Sequence, residues 1–160
     1  MKNLSSIILS TTKIALIIMW TYAGFVKLLN FSESRAQMLN QPFPQAMSDI
    51  LSYVIPIVEL LIVILIFIPS VRKWGFVLSS FLLGLFSIYI ILIKNYFFDR
   101  IPCSCGGIIS GFSWTQHLIF NTIFLILSLL GLSLTIKERR IHQATWIEKG
   151  AKSPAPPSSK

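Results

Sequence analysis

Long apolar blocks separated by short polar stretches dominate the chain. Four stand out, over residues 7–29, 50–68, 74–93 and 114–136. Each holds about 19 to 23 residues, enough at about 1.5 Å per residue to cross about 30 Å of hydrocarbon. The apolar positions do not alternate, and the runs are too long for strands. Backbone in lipid must satisfy its own hydrogen bonds, which leaves helices. The pattern therefore predicts an all-α integral membrane four-helix bundle. Lys13 interrupts the first block, no small-x-small cleavage site follows it, and Tyr22-Ala23-Gly24-Phe25-Val26-Lys27 runs on in helical pattern. This block reads as a retained membrane helix rather than a signal peptide.

The connections are unequal. Pro69 to Lys73 is a five-residue link, so the second and third apolar helices are expected to be antiparallel neighbours. The stretch 30–49 reads as a polar loop around Pro42-Phe43-Pro44. The stretch 94–113 holds both cysteines together with Pro102, Gly106, Gly107 and Gly111. Ser113 followed three residues later by Gln116 is a capping box for the fourth apolar helix. The chain thus divides into a short N-terminus (1–6), the helical bundle (7–136) and a basic tail (137–160). The tail ends in Ser-Pro-Ala-Pro-Pro-Ser-Ser-Lys and is expected to be disordered.

Composition narrows the function. Fifty-four per cent of residues are hydrophobic and only 12% charged, with a mean hydropathy of +0.72. This excludes a disordered chain and an ordinary soluble enzyme, and the excess apolar surface must face lipid. The net charge of +8 resembles a nucleic-acid footprint, but the cations cluster beside apolar blocks, where they set membrane topology. No nucleic-acid partner is expected. With the N-terminus inside, ten Lys and Arg fall on the inner side and four (Lys27, Arg35, Lys94 and Arg100) on the outer. That bias places both termini in the cytoplasm and the cysteine loop in the periplasm of a multi-pass bacterial inner membrane protein.

The chain's only two cysteines, Cys103 and Cys105, sit two residues apart within Pro102-Cys103-Ser104-Cys105-Gly106-Gly107. In an extended chain, positions i and i+2 lie near the upper limit of bridgeable Cα separations; the flanking Pro and Gly-Gly favour a turn that shortens it. A bridge over so small a ring is strained, and strained exposed disulfides are the oxidising, exchangeable ones. Lys94, Arg100 and the following helix start favour thiolate. Three readings stay open at this stage: a redox pair, a static bridge or inert pair, and soft-metal binding by the two thiolates.

A second constellation lies inside the apolar helices. Glu59 sits about ten residues, or about 15 Å, from the outer end of its helix, and an acid there costs a few kcal/mol unless it faces the bundle interior. Tyr22 and Asn121 fall at similar depth, His117 lies one turn from Asn121 on the same face, and Lys27 and Tyr89 share the outer half. Six polar side chains from four helices are thus expected to converge beneath the cysteine loop. Glu59 and His117 are candidate proton relays, and Glu59, His117 and Lys27 a candidate quinone site. The competing reading is interhelical hydrogen bonding without chemistry, favoured for Tyr22, Tyr89 and Asn121. Pro56 is expected to open the helix backbone near Glu59.

Gly24-Phe25-Val26-Lys27-Leu28 and Ile55-Pro56-Ile57-Val58-Glu59-Leu60 resemble segments of DoxX-like membrane proteins. Pro102-Cys103-Ser104-Cys105-Gly106-Gly107, followed by Trp114-Thr115-Gln116-His117, resembles the methylamine utilisation MauE branch, over roughly residues 10 to 136 in all. Gly106-Gly107 departs from the Phe-Gly of typical members. The resemblance implies a four-helix membrane protein associated with maturation of the disulfide-rich methylamine dehydrogenase. It puts Cys103 and Cys105 in the redox-pair position, and Lys27 and Glu59 in the family's intramembrane polar positions. The leading expectation is a membrane thiol–disulfide redox protein acting on a periplasmic thiol-containing partner, with a membrane quinone taking the electrons. The alternatives are a non-catalytic assembly or scaffold subunit and a soft-metal handling protein.

Overall fold

A computed structural model describes residues 2–97 and 113–151. They form five helices: α1 (Lys2–Leu29), α2 (Phe31–Leu39), α3 (Gln45–Phe67), α4 (Arg72–Lys94) and α5 (Trp114–Ala151). Among the described residues there is no strand. α1, α3, α4 and α5 are each long and apolar enough to cross a membrane, as the four apolar blocks predict. They form a ring in which α1 packs on α3, α3 on α4, α4 on α5 and α5 on α1. The short link between α3 and α4 makes them antiparallel neighbours, as expected.

The interior of this ring mixes apolar side chains with small and hydroxylated ones. α1 turns Leu9, Thr12, Leu16, Met19, Trp20 and Ala23 inward, and α3 turns in Ser48, Ser52, Pro56, Glu59, Ile62 and Ile66. Steps of three and four residues keep such positions on one face. Large side chains such as Ile18, Phe67 and Phe81 point outward and are exposed, where lipid rather than water suits them. Small and hydroxylated residues let the backbones approach and bond across the interface. Trp20 Nε1 donates to Ser79 Oγ at 2.9 Å, tying α1 to α4 across the ring. Ser80 Oγ donates to Ser128 Oγ at 3.0 Å, and Ser128 Oγ donates to the Phe76 carbonyl at 3.1 Å. Close approach of α4 and α5 requires Gly131, because a Cβ there would lie 2.3 Å from the Phe76 ring.

In the extent of its helices the structure departs from the sequence reading in two places. The stretch 30–49 is not wholly a loop: it contains α2, a nine-residue helix with no buried residue. A helix so short does not hold alone. It is fixed by the Phe31 ring on Tyr53, with centroids 4.7 Å apart, and by Arg35 Nε donating to Asp49 Oδ1 at 2.6 Å. That hydrogen bond also holds the Arg35 guanidinium above its ordinary pKa range. The second departure is α5, which does not end at Ile136 but runs to Ala151, through much of the segment expected to be disordered. Lys137 to Lys149 contains no Pro or Gly, and extending an existing helix needs no new nucleus. Arg139 anchors the extension by donating from Nη2 to the carbonyls of Pro69 and Ser70. The Pro/Ser end of the tail, 152–160, lies outside the described residues, as do Arg100, Cys103 and Cys105.

Candidate functional site

The inward stripe of α1 continues from Ala23 by one turn to Lys27, and that of α3 passes through Glu59. Gly24 lets these two helices close up: a Cβ there would stand 2.9 Å from Leu60 and 3.4 Å from the Pro56 carbonyl. α3 is unbroken through Pro56, which removes only one donor from the helix ladder. The result is an ion pair inside the bundle. Lys27 Nζ donates to Glu59 Oε1 at 2.6 Å, with the lysine side chain 18% exposed and the glutamate 0%. Glu59 Oε2 is buried and has no hydrogen-bond partner.

Burying charge is costly unless it is paired. Each member of this pair therefore holds the other in place, and the second carboxylate oxygen remains an unmet acceptor. Beside it lies a cavity of about 480 Å³, to which Lys27 and Glu59 both contribute. That volume falls within the roughly 300–1,000 Å³ of ordinary ligand sites. Leu51 and Ile55 of α3 and Leu82, Phe86 and Ile90 of α4 form much of its wall. The first turns of α5 add Trp114 and His117, and α2 closes over it with Ser34, Gln37 and Met38. The Tyr89 hydroxyl donates to Gln41 Oε1, and the Phe43 ring lies 5.3 Å from that of Tyr89. These contacts pin the segment after α2 to α4 at the cavity rim.

Four of the six expected polar residues meet at this cavity: Lys27, Glu59, Tyr89 and His117. Asn121 is buried, and both its amide atoms lack a partner, but it is not on the cavity wall. Tyr22 is 49% exposed and points away from the interior; it is one residue off the inward stripe that carries Ala23, and one residue turns a helical side chain by about 100°. The capping box of Ser113 and Gln116 is formed in both directions, at 2.9 and 3.3 Å. Lys94 Nζ donates to Thr115 Oγ1 at 3.0 Å, closing the end of α4 on the start of α5. Ser34, Gln37, Met38 and Gln41 are cavity residues that the sequence reading passed over, and Phe43 is one it placed only in a loop. Their signal is faint, because they fall in a polar stretch whose helix has no apolar stripe of its own.

The family described as methylamine utilisation protein MauE matches residues 5–134. The match takes in Lys27, Glu59, Tyr89 and His117 as well as Cys103 and Cys105. No curated protein and no solved structure shows a significant match to the chain.

Proposed function

The chain belongs to the methylamine utilisation protein MauE family, and from that membership we propose that it is a membrane thiol–disulfide redox protein. In this reading it forms disulfides in a partner of methylamine utilisation outside the cytoplasm. The observation that carries the reading is the cysteine pair. The chain's only two cysteines stand two residues apart in the segment that joins α4 to α5. Both ends of that segment are held at the cavity end of the bundle by the bond from Lys94 to Thr115.

The chemistry is a two-step exchange. A partner thiolate attacks the Cys103–Cys105 disulfide and forms a mixed disulfide, releasing one cysteine of the pair as a thiol. The partner's second thiolate then attacks its own mixed-disulfide sulfur and releases the other. The partner has lost two electrons and two protons and gained one disulfide. The pair has taken up both electrons and both protons and must pass them on before the next round. The charge bias described above supports an orientation with both chain termini in the cytoplasm and the cysteines in the oxidising compartment beyond a bacterial inner membrane.

Redox titration of membranes, read by alkylation of Cys103 and Cys105, tests the proposal. An exchanging pair should titrate at a potential above the roughly −300 mV ceiling of structural disulfides. A lower potential, or a pair that stays reduced in intact cells, would overturn the reading and leave an assembly role.

A further inference from the structure

We propose that the cavity beneath α2 is a binding site for the head group of a quinone and its quinol. The inference rests on the thiol–disulfide reading for the need of an acceptor, and on the cavity itself for the ligand's chemistry.

The first constraint is charge. Lys27 and Glu59 face the cavity as a closed pair, so the site presents a cation and an anion at once. An anionic head group such as a phosphate would meet the carboxylate, and a cationic one the ammonium. A neutral ligand meets neither penalty. The second constraint is hydrogen bonding. Glu59 Oε2 is fully buried and unpartnered, and a buried acceptor is costly until a donor reaches it. A ligand hydroxyl supplies that donor. An ammonium has three N–H bonds, and Glu59 Oε1 takes one from Lys27, which leaves donors for a ligand carbonyl. The third constraint is the wall. Leu82, Phe86 and Trp114 offer apolar and aromatic surface, which suits a planar ring and rejects a strongly hydrated body.

A neutral, lipid-soluble ring with hydroxyls in one redox state and carbonyls in the other meets all three constraints. It also balances the exchange. The reduced Cys103 and Cys105 give up two electrons and two protons and become a disulfide; the quinone takes both electrons and both protons and becomes a quinol. The site remains neutral throughout, since no charge is added to either ligand form.

The test is a binding measurement without turnover. Full-length protein in lipid nanodiscs is titrated with a benzoquinone bearing a ten-carbon tail, and quenching of tryptophan fluorescence is followed, Trp114 being at the cavity wall. A ten-carbon alcohol without the ring is the comparison. The expected result is saturable quenching by the quinone that the alcohol does not displace. The Cys103→Ser/Cys105→Ser variant should bind as well as the native chain, which separates this inference from the thiol reading. Glu59→Gln should weaken binding about tenfold or more, the loss of a hydrogen bond to a charged group. Leu51→Trp, which fills the cavity, should abolish saturation while its thermal unfolding stays native-like. Unsaturable quenching, displacement by the alcohol, or unchanged affinity in both Glu59→Gln and Leu51→Trp would overturn the proposal. Exchange of Cys103 and Cys105 with a partner in a protein that binds no quinone would sink this inference and leave the thiol reading standing.

Discussion

Replacing Lys27 by methionine keeps a long unbranched side chain, one atom shorter, and removes the ammonium that pairs with Glu59. The carboxylate is 0% exposed, and its Oε2 already has no partner, so the variant leaves an uncompensated charge inside the bundle. Breaking one side of a buried pair costs about 3–5 kcal/mol. Against a total stability of about 5–15 kcal/mol, that loss is large. The reverse change, Glu59→Leu, should cost less, because Lys27 is 18% exposed and its long stem can carry the ammonium toward water. Removing both charges in Lys27→Met/Glu59→Leu should bring stability back to within about 1 kcal/mol of the native chain, since apolar replacements of buried pairs are often near neutral. The assay is equilibrium unfolding of purified protein in mixed micelles with increasing SDS, followed by helical circular dichroism. If Lys27→Met unfolds with the native chain, or the double variant is as unstable as Lys27→Met alone, the pair does not organise the site and the reasoning fails.

Other consequences are as direct. Gly131→Ala should destabilise by about 1–3 kcal/mol through overpacking against the Phe76 ring, whereas Gly84→Ala, with nothing within 4 Å of its new Cβ, should be neutral or slightly stabilising; thermal unfolding compares them. Arg35→Ala removes an ion pair whose partners are 43% and 42% exposed, so the loss of stability should be small and shrink further in high salt. A reporter active only outside the cytoplasm should be active when fused after Gly107 and silent after Arg140; the opposite pattern would remove the oxidising compartment from the account.

Run length alone made the four spans legible, because about 20 apolar residues in lipid have few structural options. The bundle interior was legible only in part. Asn121 was read as inward and is buried, but Thr12, Ser52, Ser79 and Ser128 are buried as well, among apolar residues such as Leu16, Ile62 and Leu83, whereas Thr122 and Ser133 are exposed. The inward facing of Glu59 followed from the cost of an acid at that depth, but its pairing with Lys27 is seen only in the structure. Tyr22 shows where this logic stops: depth along a helix does not give facing, and one residue separates it from the inward Ala23. α2 could not be read because its existence depends on the contacts of Phe31 with Tyr53 and Arg35 with Asp49, which join residues 22 and 14 positions apart. The extension of α5 was obscured by the Pro-rich end of the chain, whose composition dominated the reading of the helix-forming stretch before it.

The central claim is that Cys103 and Cys105 exchange disulfides with a partner, and trapping tests it most directly. In Cys105→Ser no internal disulfide can form, but the lone Cys103 thiolate attacks the disulfide of the oxidised partner, the reverse of the exchange, and releases the partner's other cysteine as a thiol. Without Cys105 the reverse reaction cannot be completed, so a mixed disulfide should be trapped in cells. It should appear on a non-reducing gel as a larger species that collapses on reduction, and mass spectrometry should place the partner's cysteine on Cys103. Cys103→Ser/Cys105→Ser should show no such species. The account predicts a discrete adduct with a cysteine-containing protein from outside the cytoplasm. A Cys105→Ser protein that stays a free thiol in cells making the partner would contradict it.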